Sequence, residues 1–600
     1  MTIIPFVIAV PLLVAAALAV VGKWLPNRIA DVSGFVAAGA PIVLVALLVT
    51  RTAHRMFVYW FGGWKPERGQ FPLGIAFAID RVGAGFALLV LVLLTAALVY
   101  SWRYLEEEHY LFVVLMLLFG GAMVGFVLTG DIFNMFVFFE LMSVAAFALT
   151  AYKVEEASPL QGSFNFAVSN TIGAFLVLFG IALLYGRTGS LNLAEIGHRL
   201  TQDGRHDGLV VVAFGLITCG FLVKAAMVPF HFWLPDAHAA APAPVCVLFS
   251  GVMVELGVYA VARIYWTVFE GVLGSFEHSI TDVLLGVGAV TAVVGAVMCG
   301  MQRHLKRLLA YSTIAHAGCF LIGVALLTPD ALAGAALYVL AHAFAKGSLF
   351  FACGILLVAR DGIDEFKLQG KGRGLPLTAG AWFVASLALA SPPFLGTFTG
   401  HAFIDDSASA DGYWWVPVVL AFATIGSTAA IFRSGLRVFA GIGEHDDPLL
   451  SEQPPESKGP GERPSLTMMQ LITLAFALVG LAIGALTPLA ERVQEAAHHF
   501  VDHVNYVQVV LDHAPLAAVP PGEWKTTTSS LVWALVTLFG SALVGFASLY
   551  RARAPRAVND FMARALGPLR AAHSGHIADY IAWITFGTAV IGGLFAITIR

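Results

Sequence analysis

The sequence predicts an all-α polytopic membrane protein with about 14–16 transmembrane helices, two inverted five-helix repeats and two broken helices. Three observations carry this. Of the 600 residues, 58% are hydrophobic and only 12% are charged, whereas a soluble domain has roughly 25% charged residues. Apolar runs near 20 residues, the length that crosses a bilayer, recur along the whole chain. Two of these runs are interrupted by proline or glycine, one in each half. The net charge of −4 lacks the basic footprint of a nucleic-acid-binding chain.

Taken in order, residues 1–110 hold spans 4–22, 32–50 and 79–100. The first has no basic n-region and no obvious cleavage site, so it reads as a retained span. Residues 111–266 form the expected first repeat, with spans 111–129, 132–151, 164–185, 209–232 and 242–264. Residues 282–441 form the second, with spans 282–301, 307–327, 332–358, 377–400 and 414–433. Five helices per repeat is an odd number, which makes the two opposite in topology. Residues 442–600 begin with a linker rich in Pro, Gly and charge, EHDDPLLSEQPPESKGPGERP. Span 466–488 follows, and then two further spans, 529–550 and 579–598, flank the basic amphipathic segment RARAPRAVNDFMARALGPLR.

Lysine and arginine fall mainly in the odd-numbered loops, roughly 20 against roughly 10, which places those loops in the cytoplasm and both termini outside. The main basic loops are RHLKR (303–307), DEFKLQGKGRG (364–374) and 551–570. The five cysteines, Cys219, Cys246, Cys299, Cys319 and Cys353, form no C-x-x-C. Iron–sulfur and structural zinc sites are not expected. No metal site and no cofactor are expected, and no redox or hydrolytic catalytic motif occurs. His498, His499 and His503 have one helical i,i+4 pair, but fit an amphipathic interfacial segment better than a zinc site.

The helix breaks organise the chain. Lys224 lies five residues before Pro229, and Pro392 and Pro393 interrupt the run ASPPFLGTFTGHAFIDD. Proline removes a backbone donor and bends or ends a helix. A charge at membrane depth costs roughly 2.5–3.5 kcal/mol on insertion scales and marks function by default. Such charges are few here. Glu140 and Glu255 lie mid-span; the alternatives are an acid at a helix end and an acid that only buttresses a neighbour. Lys224 has Glu140 as its expected partner, since opposite charges offset one another's desolvation; the alternative is a static ion pair. His342 and Lys346 share a helix face by their i,i+4 spacing, and a titratable imidazole beside a buried lysine suits proton transfer. His316 and His401 complete the expected row, with a structural core histidine and an interfacial one as the alternatives.

The stretches FNMFVFFELMS, LVKAAMVPFHFWLPDAH, KRLLAYSTIAHAG, LAHAFAKGSLFF and SPPFLGTFTG, in this order over roughly residues 75–440, resemble one family. It is the family of antiporter-like subunits shared by respiratory complex I, group 4 membrane-bound hydrogenases and Mrp-type cation/proton antiporters. The resemblance implies a bundle of about 14 helices and matches Glu140, Lys224, His342 and Lys346 to the family's buried polar residues; with Glu255, His316 and His401 these form the expected proton relay. It also implies partner subunits in a multisubunit membrane complex, a bacterial inner (plasma) membrane, and H+ with Na+ or K+ as the ions moved. The complex itself would be an NADH:quinone oxidoreductase-like or hydrogenase-type translocase, with no catalytic site in this chain. Two positions depart from the family pattern: Glu255 and His401 each stand where lysine is usual. The alternatives are a proton-conducting partner in an inorganic-carbon uptake complex and a non-conducting structural scaffold.

Overall fold

The computed structural model describes residues 4–53, 55–66, 71–102, 109–155, 157–445, 450, 466–553, 555–573 and 575–599. Among them, thirteen helices are long and apolar enough to cross a membrane, and two shorter apolar helices accompany them. The chain is an all-α integral membrane protein. The linker expected after residue 442 lies mostly outside the described residues.

The first helices are α1 (Ile4–Val21) and α2 (Asn27–Arg51). Strands β1 (Phe57–Trp60) and β2 (Ala76–Ile79) then pair antiparallel, Phe57 opposite Ile79. Asp80 caps α3 (Arg81–Tyr100), accepting from the Gly83 N–H at 2.7 Å, which satisfies one of the four orphan donors of a helix start. Next come α4 (His109–Leu128), α5 (Ile132–Thr150), capped by Asp131, and α6 (Ala157–Thr188). Helix α7 (Leu193–Asp203) is short and amphipathic, with its apolar face buried. One face of the molecule gathers β1–β2, α7 and the bridges Phe77–Thr129 and Asp131–Asn192.

The span expected at 209–232 is two pieces. Helix α8 (Gly208–Lys224) stops at the lysine, and α9 (Trp233–Ala240) restarts after the break. The loosened backbone is satisfied inside the protein. Trp233 Nε1 donates to the Val223 carbonyl at 3.0 Å, and the Val228 N–H donates to Thr291 Oγ1 at 3.0 Å. Buried backbone groups need such partners in a bilayer. A continuous helical run, Ala243–Gly300, has the length of two crossings. It comprises α10 (Ala243–Leu248), a π-helical turn at Phe249–Met253, α11 (Val254–Ile264), a second π turn at Tyr265–Phe269, α12 (Glu270–Leu273) and α13 (Glu277–Gly300).

Helices α14 (Leu305–Ala325) and α15 (Pro329–Arg360) form the buried centre. Small residues let α13 approach α14: a Cβ on Gly318 would stand 2.5 Å from the Ala292 nitrogen. The second break separates α16 (Pro376–Leu389) from α17 (Phe398–Ala410). Gly396 makes the turn at φ +57°, where a Cβ would lie within 2.1 Å of the Ala388 carbonyl oxygen. Its N–H donates at 2.7 Å to the Leu481 carbonyl of the neighbouring helix.

The remaining helices are α18 (Val416–Gly435), α19 (Leu466–Ala482), α20 (Thr487–Val501), α21 (His503–Leu511), α22 (Thr528–Ser548), α23 (Arg556–Ala572) and α24 (Ile577–Thr598). Helices α20 and α21 join the β1–β2 face, where His503 contacts the Trp266 carbonyl at 3.2 Å. The opposite face carries the basic loops. There Arg303 pairs with Asp364 at 2.7 Å, and Arg433 and Arg437 close on buried Glu365 at 3.4 and 2.5 Å.

Candidate functional site

The first break ends on the lysine. Lys224 is fully buried at the last residue of α8, and its Nζ donates to Ser143 Oγ at 2.9 Å. Phe139 and Phe166 present their rings to the ammonium at 5.0 and 5.8 Å, an arrangement that stabilises a cation. Glu140 lies one helical turn from Ser143 on α5. It is half-buried, and its charge couples to Lys224 through space, without an ion-pair contact. The ammonium therefore meets Ser143, one turn from Glu140, and not Glu140 itself. The i,i+3 spacing of Ser143 from Glu140 is the sequence signal that could have found it.

In the centre, Glu255 of α11 and His342 of α15 approach to 3.4 Å, with neither side chain exposed. Lys346, one turn along α15, donates to the Leu309 carbonyl at 3.1 Å and couples electrostatically to Glu255. The His342 ring lies 5.0 Å from that of His316. His316 contacts the Tyr338 hydroxyl through Nδ1 at 2.5 Å and Ser427 Oγ through Nε2 at 3.3 Å. Tyr338 lies 4.3 Å, ring to ring, from His401 in the first turn of α17. Thus Glu255, His342, His316, Tyr338 and His401 form one unbroken series of neighbours.

His401 Nε2 and Asp405 Oδ1, one turn apart on α17, are buried without a hydrogen-bond partner. Both residues line a cavity of about 10 Å³, together with Ser391, Ser530 and Thr537. That volume is about one water molecule's worth.

Four further residues that the sequence does not single out belong to this arrangement. Asp405 and Tyr338 are each one helical turn from an expected residue, Asp405 from His401 and Tyr338 from His342. His238 is fully buried, stacked on Phe350 at 4.7 Å, with both ring nitrogens unpartnered. Lys306 belongs by sequence to a basic loop but is buried, donating to the Ala241 carbonyl at 2.8 Å. Its place at a helix start gives no sign of this. Among the described residues, no hydrogen bond or ion pair joins the Lys224 cluster to Glu255, and no group of three His, Cys, Asp or Glu could hold a metal.

Known proteins are similar to this chain in sequence and fold. The family model described as NADH:quinone oxidoreductase/Mrp antiporter, TM, matches residues 129–427. NADH-quinone oxidoreductase subunit N of Desulforudis audaxviator is 34% identical over 409 residues, 67% of this chain and 79% of the relative. A Na(+)/H(+) antiporter subunit from Bacillus subtilis is 27% identical over 487 residues, 80% of this chain and 92% of the relative. A chain in the structure of the Mrp complex from a Dietzia species aligns with a TM-score of 0.73 at 26% identity, covering 84% of this chain and 98% of that one.

Proposed function

The chain belongs to the NADH:quinone oxidoreductase/Mrp antiporter family of membrane subunits, and from that premise we propose that it translocates protons as an antiporter-like subunit of a larger complex. The observation that carries this is the buried series from Glu255 through His342, His316 and Tyr338 to His401. Ionisable groups buried at membrane depth are costly and mark ion pathways and proton relays by default. Glu140, Ser143 and Lys224 form a second cluster that feeds the series, and Lys346 biases Glu255 by its charge. Protons load and unload as neighbouring charges approach and separate, because a nearby opposite charge favours ionisation and desolvation opposes it.

Two repeats, 111–266 and 282–441, frame the path. Their support is the corresponding placement of the breaks, each in the fourth span of its repeat, at the end of α8 and between α16 and α17. The basic face is the cytoplasmic one, which puts both termini outside; the loop charges support this orientation. The membrane is a bacterial inner membrane, on the analogy of the Bacillus relative. That relative's name also makes Na+ the counter-ion to test first. Partner membrane subunits are expected because the aligned Dietzia chain belongs to the Mrp complex. Glu140 and Lys224 are tested by Glu140→Gln and Lys224→Ala in the reconstituted complex. Proton flux should collapse in both, and unchanged flux in both would rule the relay out.

A further inference from the structure

Resting on the proton-translocating reading above, we propose that His231 and His573 form a proton port on the basic face, built jointly by the first broken helix and the C-terminal extension. His231 lies in the break between α8 and α9 and is buried; His573 follows α23 and is partly exposed. Their Nε2 atoms are 3.0 Å apart. His573 Nδ1 lies 2.8 Å from the Leu569 carbonyl oxygen.

These contacts fix the protons. A carbonyl only accepts, so His573 Nδ1 carries a hydrogen. Burial, the largest influence on it, holds the His573 imidazole down to about 4, so the ring is neutral at neutral pH and has a single N–H. Its Nε2 is then a bare acceptor, and His231 Nε2 must be the donor. That leaves His231 Nδ1 as a bare lone pair. The atom is buried and has no hydrogen-bond partner, which agrees with this assignment.

The pair is wired for proton exchange. A proton bonding to His231 Nδ1 breaks the His231 Nε2–H bond, and that proton bonds to His573 Nε2. The partly exposed His573 ring then turns Nδ1 off the Leu569 carbonyl, the Nδ1–H bond breaks and its proton bonds to a solvent water. One proton enters, one leaves, and both rings end neutral in the opposite tautomer. That tautomer has a bare His573 Nδ1, ready to take a proton from solvent and pass one inward.

The extension is held firmly against the break. Phe232 stacks on Tyr580 at 5.4 Å, and Tyr580 donates to Asp236 Oδ2 at 2.9 Å. Arg307 pairs with Asp236 at 3.4 Å. Tyr311 lies 5.5 Å from the His573 ring and Phe232 lies 4.7 Å from it. Arg307 and Asp236 are the charged groups facing the imidazole, and their opposite effects on it partly offset one another.

The test uses the intact complex in inside-out membrane vesicles, with proton flux followed by a ΔpH-sensitive dye. His573→Ala should lower flux about tenfold or more, in line with loss of a general acid–base group, and added imidazole should restore it. His573→Gln, which keeps the size and polarity needed for assembly but carries no proton, should lose flux as well. Full flux in either variant, or a loss in His573→Ala that imidazole leaves in place, overturns the port. Lys224→Ala, run in parallel, separates the two readings. If it abolishes flux while the His573 variants conduct, the port falls and the relay stands; if it conducts too, both fall.

Discussion

Oε1 of Glu255 lies 3.4 Å from Nδ1 of His342, with both side chains closed off from the surface. Glu255 comes from α11 and His342 from α15, so the contact ties the end of one proposed repeat to the middle of the other. Removing a buried polar side chain leaves the facing polar group without its neighbour, at about 1–3 kcal/mol. His342→Ala should therefore destabilise the protein by about that much, measured by thermal unfolding in detergent. Combining it with Glu255→Leu should recover part of the loss. Purely additive effects would show that the two residues do not interact.

Ser143 should tune Lys224 without replacing it. Its hydroxyl accepts a hydrogen bond from the buried ammonium. Ser143→Ala leaves that donor unsatisfied, at about 1–3 kcal/mol. Proton flux should fall less than in Lys224→Ala, and Ser143→Thr, which keeps the hydroxyl, should restore it. Equal flux in Ser143→Ala and the parent protein would remove Ser143 from the path.

Arg263 should not tolerate lysine. It pairs with Asp80 at 2.5 Å, stacks over Phe500 at 4.0 Å and donates to the Tyr259 hydroxyl at 2.9 and 3.1 Å. Lysine keeps the charge but not the planar fork or the stacking. Arg263→Lys should cost about 1.5–3 kcal/mol, and Arg263→Ala about 3–5 kcal/mol. Unfolding midpoints of the two variants check the order.

Asp131 should give the fold a pH slope. Burial, the largest cause, raises its carboxyl from 3.8 to about 6, against hydrogen bonds from the Asn134 and Phe133 backbone. The folded state thus holds a proton that the unfolded chain gives up. This contribution to stability is fully present below pH 3.8 and is lost as pH rises through about 6. The slope is at most about 1.4 kcal/mol per pH unit. Asp131→Asn, which still caps α5, should flatten the unfolding midpoint against pH across this window.

Much of this is legible in the sequence because the bilayer simplifies the code. A charge inside an apolar run stands out, so Glu140, Lys224, Glu255, His342, Lys346 and His401 are visible from the sequence alone. The breaks are legible for the same reason, since proline and glycine interrupt a run that is otherwise uniform. What stays hidden is whatever periodicity does not mark. Lys306 sits at a helix start among basic residues and looks solvated, yet its side chain turns inward to the Ala241 carbonyl. Ser143 and Tyr338 carry no charge, so nothing in composition separates them from packing residues. The His231–His573 contact spans 342 residues, and sequence spacing carries no information at that range.

Helix α24 has a consequence for how the protein is made. It packs across α6, α8 and α13, with Gly587 seated over Pro229 and Phe230, where a Cβ would come within 2.5 Å of the Pro229 ring. Synthesis and insertion run from the N-terminus. The broken helix therefore waits, with its loosened backbone uncovered on that side, while more than 300 further residues leave the ribosome. A span inserted this late is the lid on a site laid down in the first half, so the nascent chain cannot complete that site early. A stop codon placed before residue 577 should leave Cys219 more reactive to membrane-permeant thiol reagents than in the full chain. Equal reactivity would show that the break closes without its lid.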